Sequence, residues 1–190
     1  AYYYQKKEHF ELLPDTENEI IFLGNSITDG CEWAELFQNP NIKNRGIGGD
    51  DTDGVLERLD EIISSKPSKI FIMIGTNDMA YGKTVDYVVS NYTKIIDSIQ
   101  IICPDTKIYI QSVLPVDDAI HYTRSTSDIM QINTHLEKLS AEKSIEYIEL
   151  FSIFSNDDNK LNPDYSLDGL HLNGKGYQVW KEAIQKYVEE

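Results

Sequence analysis

Short apolar runs that end in turn residues, separated by helix-length periodic segments, constrain this chain more than any other feature. Residues 19–24, 69–75, 107–113 and 145–150 are such runs, and residues 42–45 form a weaker, shorter one. A run that is apolar without alternation is a strand buried on both faces. Between them, Val85, Val88, Val89, Tyr92, Ile95, Ile96 and Ile99 follow the i, i+3, i+4, i+7 rule of an amphipathic helix. Val55, Leu56, Leu59, Ile62 and Ile63 do so over a shorter stretch, Ile129, Ile132, Leu136 and Leu139 mark another helix, and Val179, Trp180, Ala183, Ile184, Tyr187 and Val188 the last. Pro67 and Pro104 stand where a helix must stop before the next strand. Strands alternating with helices imply βαβ units and a parallel sheet covered on both faces. In such sheets ligands bind outside the carboxyl ends of the strands, which directs attention to the segments after Leu23, Arg45, Ile74 and Val113.

The 190 residues suit one domain, 1–190, with residues 1–18 as an extension packed on it as a helix. A formal net charge of −15 repels phosphate backbones and anionic lipid, so neither nucleic acid nor a membrane surface is an expected partner. The acids are scattered, which fits a solvated surface better than a cation-binding field. No apolar run is long enough to span a membrane. Cys31 and Cys103 are too few for a disulfide framework or a zinc site, and both read as small buried hydrophobes, with a place lining the site as the alternative for Cys31, five residues after Ser26. A chain opening at Ala1 rather than Met is expected to be a processed secreted or periplasmic form, or a trimmed one.

The unusual residues fall where the architecture places a site. Gly24-Asn25-Ser26-Ile27-Thr28-Asp29-Gly30 follows the first strand, Asn44-Arg45-Gly46-Ile47-Gly48-Gly49-Asp50 the second, and Gly75-Thr76-Asn77-Asp78 the third. Asp168-Gly169-Leu170-His171 stands near the C-terminus. Singly each has an ordinary reading: Ser26 as a helix N-cap, Asn77 as a turn residue, His171 as a surface histidine, the glycines as tight turns. The first block lacks the lysine of a phosphate loop, and Gly46-Ile47-Gly48-Gly49 is misplaced for a dinucleotide fingerprint. Together they supply a reaction. A serine hydroxyl needs a base, histidine suits that task near neutral pH, and a carboxylate three residues away can fix the imidazole tautomer. The oxyanion formed on attack needs donors already in place, and the Ser26 N–H, a glycine N–H and the Asn77 amide stand at three strand ends.

The four blocks, in this order from Gly24 to Tyr177, resemble the SGNH (GDSL-like) hydrolase family. The resemblance implies a three-layer, flavodoxin-like α/β/α sandwich on a five-stranded parallel sheet, with no metal or organic cofactor. It implies Ser26 as nucleophile and Asp168 and His171 as the family's D-x-x-H pair. It also implies an oxyanion hole of Ser26, Gly49 and Asn77, with Gly48 as the alternative glycine. The family's Gly-Asp-Ser reads Gly24-Asn25-Ser26 here; the amide is expected to hold the same turn. The segment Asn44 to Thr52, Leu56-Glu57-Arg58-Leu59, and Ser112-Val113-Leu114-Pro115 resemble the small acetylhydrolase and carbohydrate O-acetylesterase members.

The expected activity is therefore a serine esterase that removes short acyl groups, acetyl first, from O-acetylated carbohydrate such as sialic acid or polysaccharide. A phospholipid acetylhydrolase or short-chain thioesterase is the alternative, and a non-catalytic carbohydrate-binding protein a third reading. Substrate choice is expected in residues 79–83 and 116–125, the second holding Asp117, Asp118, His121, Tyr122 and Arg124.

Overall fold

The computed structural model describes residues 1–190. Five strands, β1 (Ile20–Gly24), β2 (Ile42–Gly46), β3 (Lys69–Met73), β4 (Lys107–Gln111) and β5 (Glu146–Ile148), form one parallel sheet in the order β2-β1-β3-β4-β5. The weak candidate at 42–45 is a full edge strand, whereas the run at 145–150 pairs only over Glu146–Ile148. β2 lies on one side of β1 and β3 on the other, so the chain reverses its direction of travel between β1 and β3. That switch point is where a parallel sheet opens a crevice. The register sets Gly24 level with both Gly46 and Met73. The segments that follow these three strands therefore emerge side by side.

The helices are α1 (Tyr2–Leu12), α2 (Ser26–Asp29), α3 (Trp33–Leu36), α4 (Thr52–Glu57), α5 (Leu59–Ser64), α6 (Thr76–Ala80), α7 (Val85–Ile102), α8 (Thr126–Lys143), α9 (Phe151–Phe154) and α10 (Gly174–Glu189). Alternate strand residues face opposite layers. Ile21, Leu23, Ile70, Ile72, Ile108 and Ile110 meet α4, α5, α7 and α8 in an aliphatic layer. Phe22, Phe71, Met73, Tyr109 and Ile148 meet α2, α3, α9 and α10 in an aromatic one. There the Phe71 and Tyr109 rings stack at 4.5 Å, and Trp33 meets Trp180 edge-on at 4.8 Å. Residues that fill both faces explain why the strands carry no polar alternation.

Caps set the long helices. The Thr84 side chain accepts from Tyr87 N to start α7, Ser125 from Asp128 N to start α8, and Asn173 from Gly176 N to start α10. α10 buries Gly176, Trp180, Ile184 and Val188, one residue per turn. Its last carbonyls are satisfied by Lys69, whose ammonium donates to the oxygens of Tyr187, Val188 and Glu190 at 2.8, 2.9 and 3.0 Å. The periodic segment 55–63 is two helices rather than one. It breaks at Arg58, which leaves helical geometry (φ −110°, ψ 15°) to send its side chain inward.

α1 packs against the β2 edge of the molecule. Phe10 is buried beneath the Arg45 guanidinium at 4.7 Å, the Tyr3 hydroxyl donates to Gly54 O at 2.7 Å, and the Tyr2 hydroxyl donates to Asp29 at 2.7 Å. No helix is long and apolar enough to cross a membrane.

Close approach at the end of β2 sets a limit on sequence. A Cβ on Gly46 would lie 2.2 Å from the backbone nitrogen of Asp29, in the helix that begins with Ser26. Neither group is a flexible side-chain tip. Gly46→Ala should therefore lower unfolding free energy by about 1–3 kcal/mol through overpacking, read as a lower urea midpoint at unchanged m-value.

Candidate active site

Ser26 is held by its neighbours rather than acting as a cap. The cap of α2 is Asn25, whose side-chain oxygen accepts from Ile27 N at 3.0 Å, so Ser26 is the first helical residue. Asn25 thus fixes the turn as the sequence led us to expect of an amide in place of aspartate. The helix rests on two rings: Trp33 donates to Thr28 O at 2.8 Å and Tyr177 to Ile27 O at 2.7 Å. The Ser26 N–H, in the first turn, has no acceptor within the protein.

Across the crevice, residues 166–172 form a turn closed by a bridge between Ser166 and Leu172. Asp168 Oδ1 accepts from the backbone nitrogens of Leu170 and His171 at 2.9 and 2.7 Å. Its Oδ2 accepts from His171 Nδ1 at 2.7 Å. Burial would raise this carboxyl, but the His171 hydrogen bond and the two backbone donors outweigh it and hold it well below the usual carboxylate range. A carboxylate only accepts, so the proton sits on Nδ1 and the free lone pair on Nε2. His171 Nε2 lies 3.0 Å from Ser26 Oγ. The chain brings Ser26, His171 and Asp168 together from positions 145 residues apart.

Residues 116–125 support that turn. Asp117 N donates to Gly169 O at 2.8 Å, and the His121 ring lies 2.8 Å from the Asp168 carbonyl. Lys160 pairs with both Asp117 and Asp118 at 3.2 and 3.3 Å. His121 and Asp117, in a loop read from sequence as a candidate for substrate choice, thus brace the turn that carries His171, while Asp118 pairs with Lys160.

The loop after β2 separates the two candidate glycines. Gly48 N donates to Asp29 at 3.2 Å and is committed. Gly49 N has no acceptor within the protein, and Gly49 adopts φ +81°, a conformation that glycine reaches without strain. The Tyr81 hydroxyl donates to Gly49 O at 2.9 Å.

Beneath this loop lies a buried ion pair. Arg58 meets Asp50 at 2.8 Å, with side-chain exposures of 0% and 1%. The same guanidinium donates to Arg45 O at 2.8 Å and Gly24 O at 3.3 Å, at the ends of β2 and β1. Burial pushes the Asp50 carboxyl up to about 6 against the pull of Arg58. Asn77, almost fully buried at the start of α6, donates from Nδ2 to Asp50 O at 2.8 Å and accepts from Arg124 at 3.0 Å. Asp78 is buried on the Thr52 hydroxyl at 2.5 Å and Thr52 N at 3.1 Å; burial raises its carboxyl and these bonds oppose the shift.

Cys31 belongs to the aromatic core layer, where burial pushes its thiol up to about 12, and Cys103 is buried in the aliphatic layer. Both are packing residues, as read from sequence.

A parallel α/β sandwich with a serine, histidine and aspartate at its switch point is the architecture of a hydrolytic enzyme. Residues 22–179 match the GDSL-like Lipase/Acylhydrolase family, and the chain belongs to that family. It is accordingly an acylhydrolase that cleaves carboxylic esters. It is similar to the platelet-activating factor acetylhydrolase IB subunit alpha2 of Gallus gallus, 30% identical over 93% of this chain and 80% of the relative. A GDSL-like lipase from Bacteroides thetaiotaomicron superposes with a TM-score of 0.85 at 25% identity, covering 98% and 97% of the two chains. An acetyl-xylooligosaccharide esterase from Geobacillus Stearmophilus, solved as a mutant, shares the fold, with a TM-score of 0.73 at 17% identity over 92% and 95%.

Sequence reasoning gave Asp50, Arg58 and Tyr81 no role beyond the segments that hold them, and it named Arg124 as one of the polar residues of a candidate substrate loop. Arg58 had a signal: an arginine inside an apolar helical pattern is a charge that must find a buried partner. Tyr81 and Arg124 act across loops and leave no local pattern.

Removing one half of the buried pair strands the other. Arg58→Ala should destabilise the protein by about 3–5 kcal/mol. Calorimetry or urea unfolding reads this directly. A midpoint equal to wild type would show that the pair does not hold the three strand ends.

Proposed function

We propose that the chain hydrolyses short acyl esters, acetyl esters first, through an acyl-enzyme on Ser26. The observation that carries this reading is the continuous line of hydrogen bonds from Asp168 through His171 to Ser26 Oγ, at 2.7 and 3.0 Å. His171 Nε2 takes the hydroxyl proton as Ser26 Oγ attacks the ester carbon. Negative charge develops on the former carbonyl oxygen, and the N–H groups of Ser26 and Gly49 and the second N–H of Asn77 are its donors. These groups stand at the level ends of β1, β2 and β3, and in the protein each lacks another acceptor. Collapse of the adduct breaks the bond to the alcohol, which leaves with the proton from Nε2. Water then enters, gives its proton to Nε2 and releases the acid. Each donor contributes roughly 3 kcal/mol of transition-state stabilisation.

The surroundings favour a small acyl group on a polar alcohol. The His171 and Asp168 side chains are about half exposed, and Tyr122 and Leu167 stand almost wholly in solvent nearby in sequence. A groove of about 450 Å³ beside α1 is walled by Tyr2, Tyr3, Tyr4, Tyr81 and carboxylates; it borders the site at Gly49 and is not lined by Ser26 or His171. Aromatic faces and carboxylates suit a carbohydrate, which we propose as the alcohol. The relatives named platelet-activating factor acetylhydrolase favour a second reading, an acetylated phospholipid. A binding protein without turnover would need neither the His171–Asp168 pair nor free donors at three strand ends.

Hydrolysis of p-nitrophenyl acetate by wild type and Ser26→Ala tests the mechanism. The variant should lose about four orders of magnitude in kcat or more. Equal turnover by both proteins would remove Ser26 from the reaction. O-acetylated sugars compared with an acetylated phospholipid then separate the two alcohols by kcat/KM.

The pH profile offers a separate check. A depressed carboxyl stays ionised in the folded enzyme above its lowered value and is lost only as pH falls through it. Asp168 is therefore a carboxylate at every pH above its lowered value. The kcat/KM profile should show no break from Asp168 above about pH 4; the carboxyl of the site that burial raises toward neutral is Asp50, at about 6. A break between about pH 4 and 5 would mean that Asp168 titrates in the working range.

A further inference from the structure

The protein has three arginines, Arg45, Arg58 and Arg124. Arg45 is paired with Glu61 at 2.6 Å and Arg58 with Asp50 at 2.8 Å, both buried. Arg124 alone has no carboxylate partner, in a chain with a net charge of −15. It is half-buried, its Nε is enclosed without an acceptor, and burial disfavours its charge with only Tyr81 acting in the opposite sense. A guanidinium left in that position needs a reason, because its desolvation is not repaid by an opposite charge.

Its one side-chain hydrogen bond goes from Nη2 to Asn77 Oδ1, at 3.0 Å. Asn77 Nδ2 donates to Asp50 O at 2.8 Å. The two partners fix the carboxamide without ambiguity. A guanidinium can only donate and a backbone carbonyl can only accept, so a flipped amide would set donor against donor and acceptor against acceptor. With the flip excluded and one Nδ2 hydrogen spent on Asp50 O, the other hydrogen has a single direction. The cation on Oδ1 also draws electron density through the amide and strengthens Nδ2–H as a donor.

We infer that Arg124 is a positioning residue for catalysis: it locks and polarises the Asn77 carboxamide so that its free N–H is presented to the oxyanion. This rests on the acyl-enzyme reading above and adds a residue from the loop between β4 and α8. The same loop braces the turn that carries Asp168 through Asp117 and His121. It therefore supports both halves of the site, the base on one side and the oxyanion donor on the other.

Arg124→Met and Arg124→Lys test the inference on p-nitrophenyl acetate, with folding of each variant verified by circular dichroism and thermal unfolding. Arg124→Met should lower kcat by about 10- to 100-fold, short of the loss expected for deleting a donor outright, with KM within about twofold. Arg124→Lys keeps the charge and a donor and should recover part of that loss. The side-chain amide pair of Asn77 in nitrogen–proton NMR spectra should shift in Arg124→Met, and this readout needs no turnover. An unmoved Asn77 signal overturns the inference, as does an unchanged kcat. A rise in KM with kcat intact also overturns it, since it would make Arg124 a contact for substrate. Wild-type enzyme without turnover on p-nitrophenyl acetate or on acetylated sugar and phospholipid overturns the esterase reading itself, and with it the role given to Asn77.

Discussion

The Arg58–Asp50 pair is the interaction on which the rest of the site depends. A single guanidinium reaches the carbonyls of Gly24 and Arg45 and the carboxylate of Asp50. Those contacts join the ends of β1 and β2 to the loop that carries Gly49. Asp50 then offers its backbone oxygen to Asn77, which joins the end of β3. Two buried charges are poor contributors to stability on their own, since their desolvation offsets much of their attraction. Their contribution here is geometric. Three loops that hydrophobic packing would leave free to shift relative to one another are fixed to a common point, which is what a preorganised set of donors requires.

The site is built from two parts with different mechanics. Ser26, Gly49 and Asn77 follow three adjacent strands whose ends lie level, so their spacing is set by the 4.8 Å or so between neighbouring strands and by the buried pair beneath them. Asp168 and His171 lie on a turn remote from the sheet's hydrogen-bonding ladder. That turn draws its rigidity from Asp168 itself, which accepts two backbone N–H bonds, and from the loop at residues 116–125. The carboxylate thus has two tasks on its two oxygens. Oδ1 shapes the turn and Oδ2 orients the imidazole.

The division between what could be read from sequence and what could not follows from the range of the interactions. β1 and β3 were legible because both faces are buried, leaving unbroken apolar runs such as Ile20 to Leu23. α7 was legible because its buried stripe, from Val88 to Ile99, repeats with the helical period. The glycines after β1 and β2 were legible as turn residues. β2 was weak in sequence because an edge strand tolerates Lys43, Asn44 and Arg45; Asn44 even uses its side chain to hold the carbonyls of Thr28, Asp29 and Cys31. The break at Arg58 was hidden because periodicity continues through it, and only a partner eight residues away reveals why the helix yields. Gly49 was ranked ahead of Gly48 by resemblance alone; the physical difference between them, that Asp29 already takes the Gly48 N–H, lies in the fold.

Residues 116–125 show most clearly why the composition of a polar loop leaves its role open. Asp117, His121 and Arg124 have the composition expected of a substrate-binding loop, and composition alone cannot tell a group that faces solvent from one that faces its own protein. In the fold, Asp117 and His121 meet the Asp168 turn and Arg124 meets Asn77. Of the residues singled out in that loop, this leaves Tyr122 in solvent, while Asp118 holds the start of α8 through Thr126. The exposed aromatic rings of Tyr81 and Tyr122 stand on segments that also hold the machinery, Tyr81 through its bond to Gly49 O. A change in the ring at position 81 therefore acts on the loop that carries Gly49 as well as on the exposed surface beside it. Tyr122, by contrast, makes no side-chain hydrogen bond to the protein and is exposed.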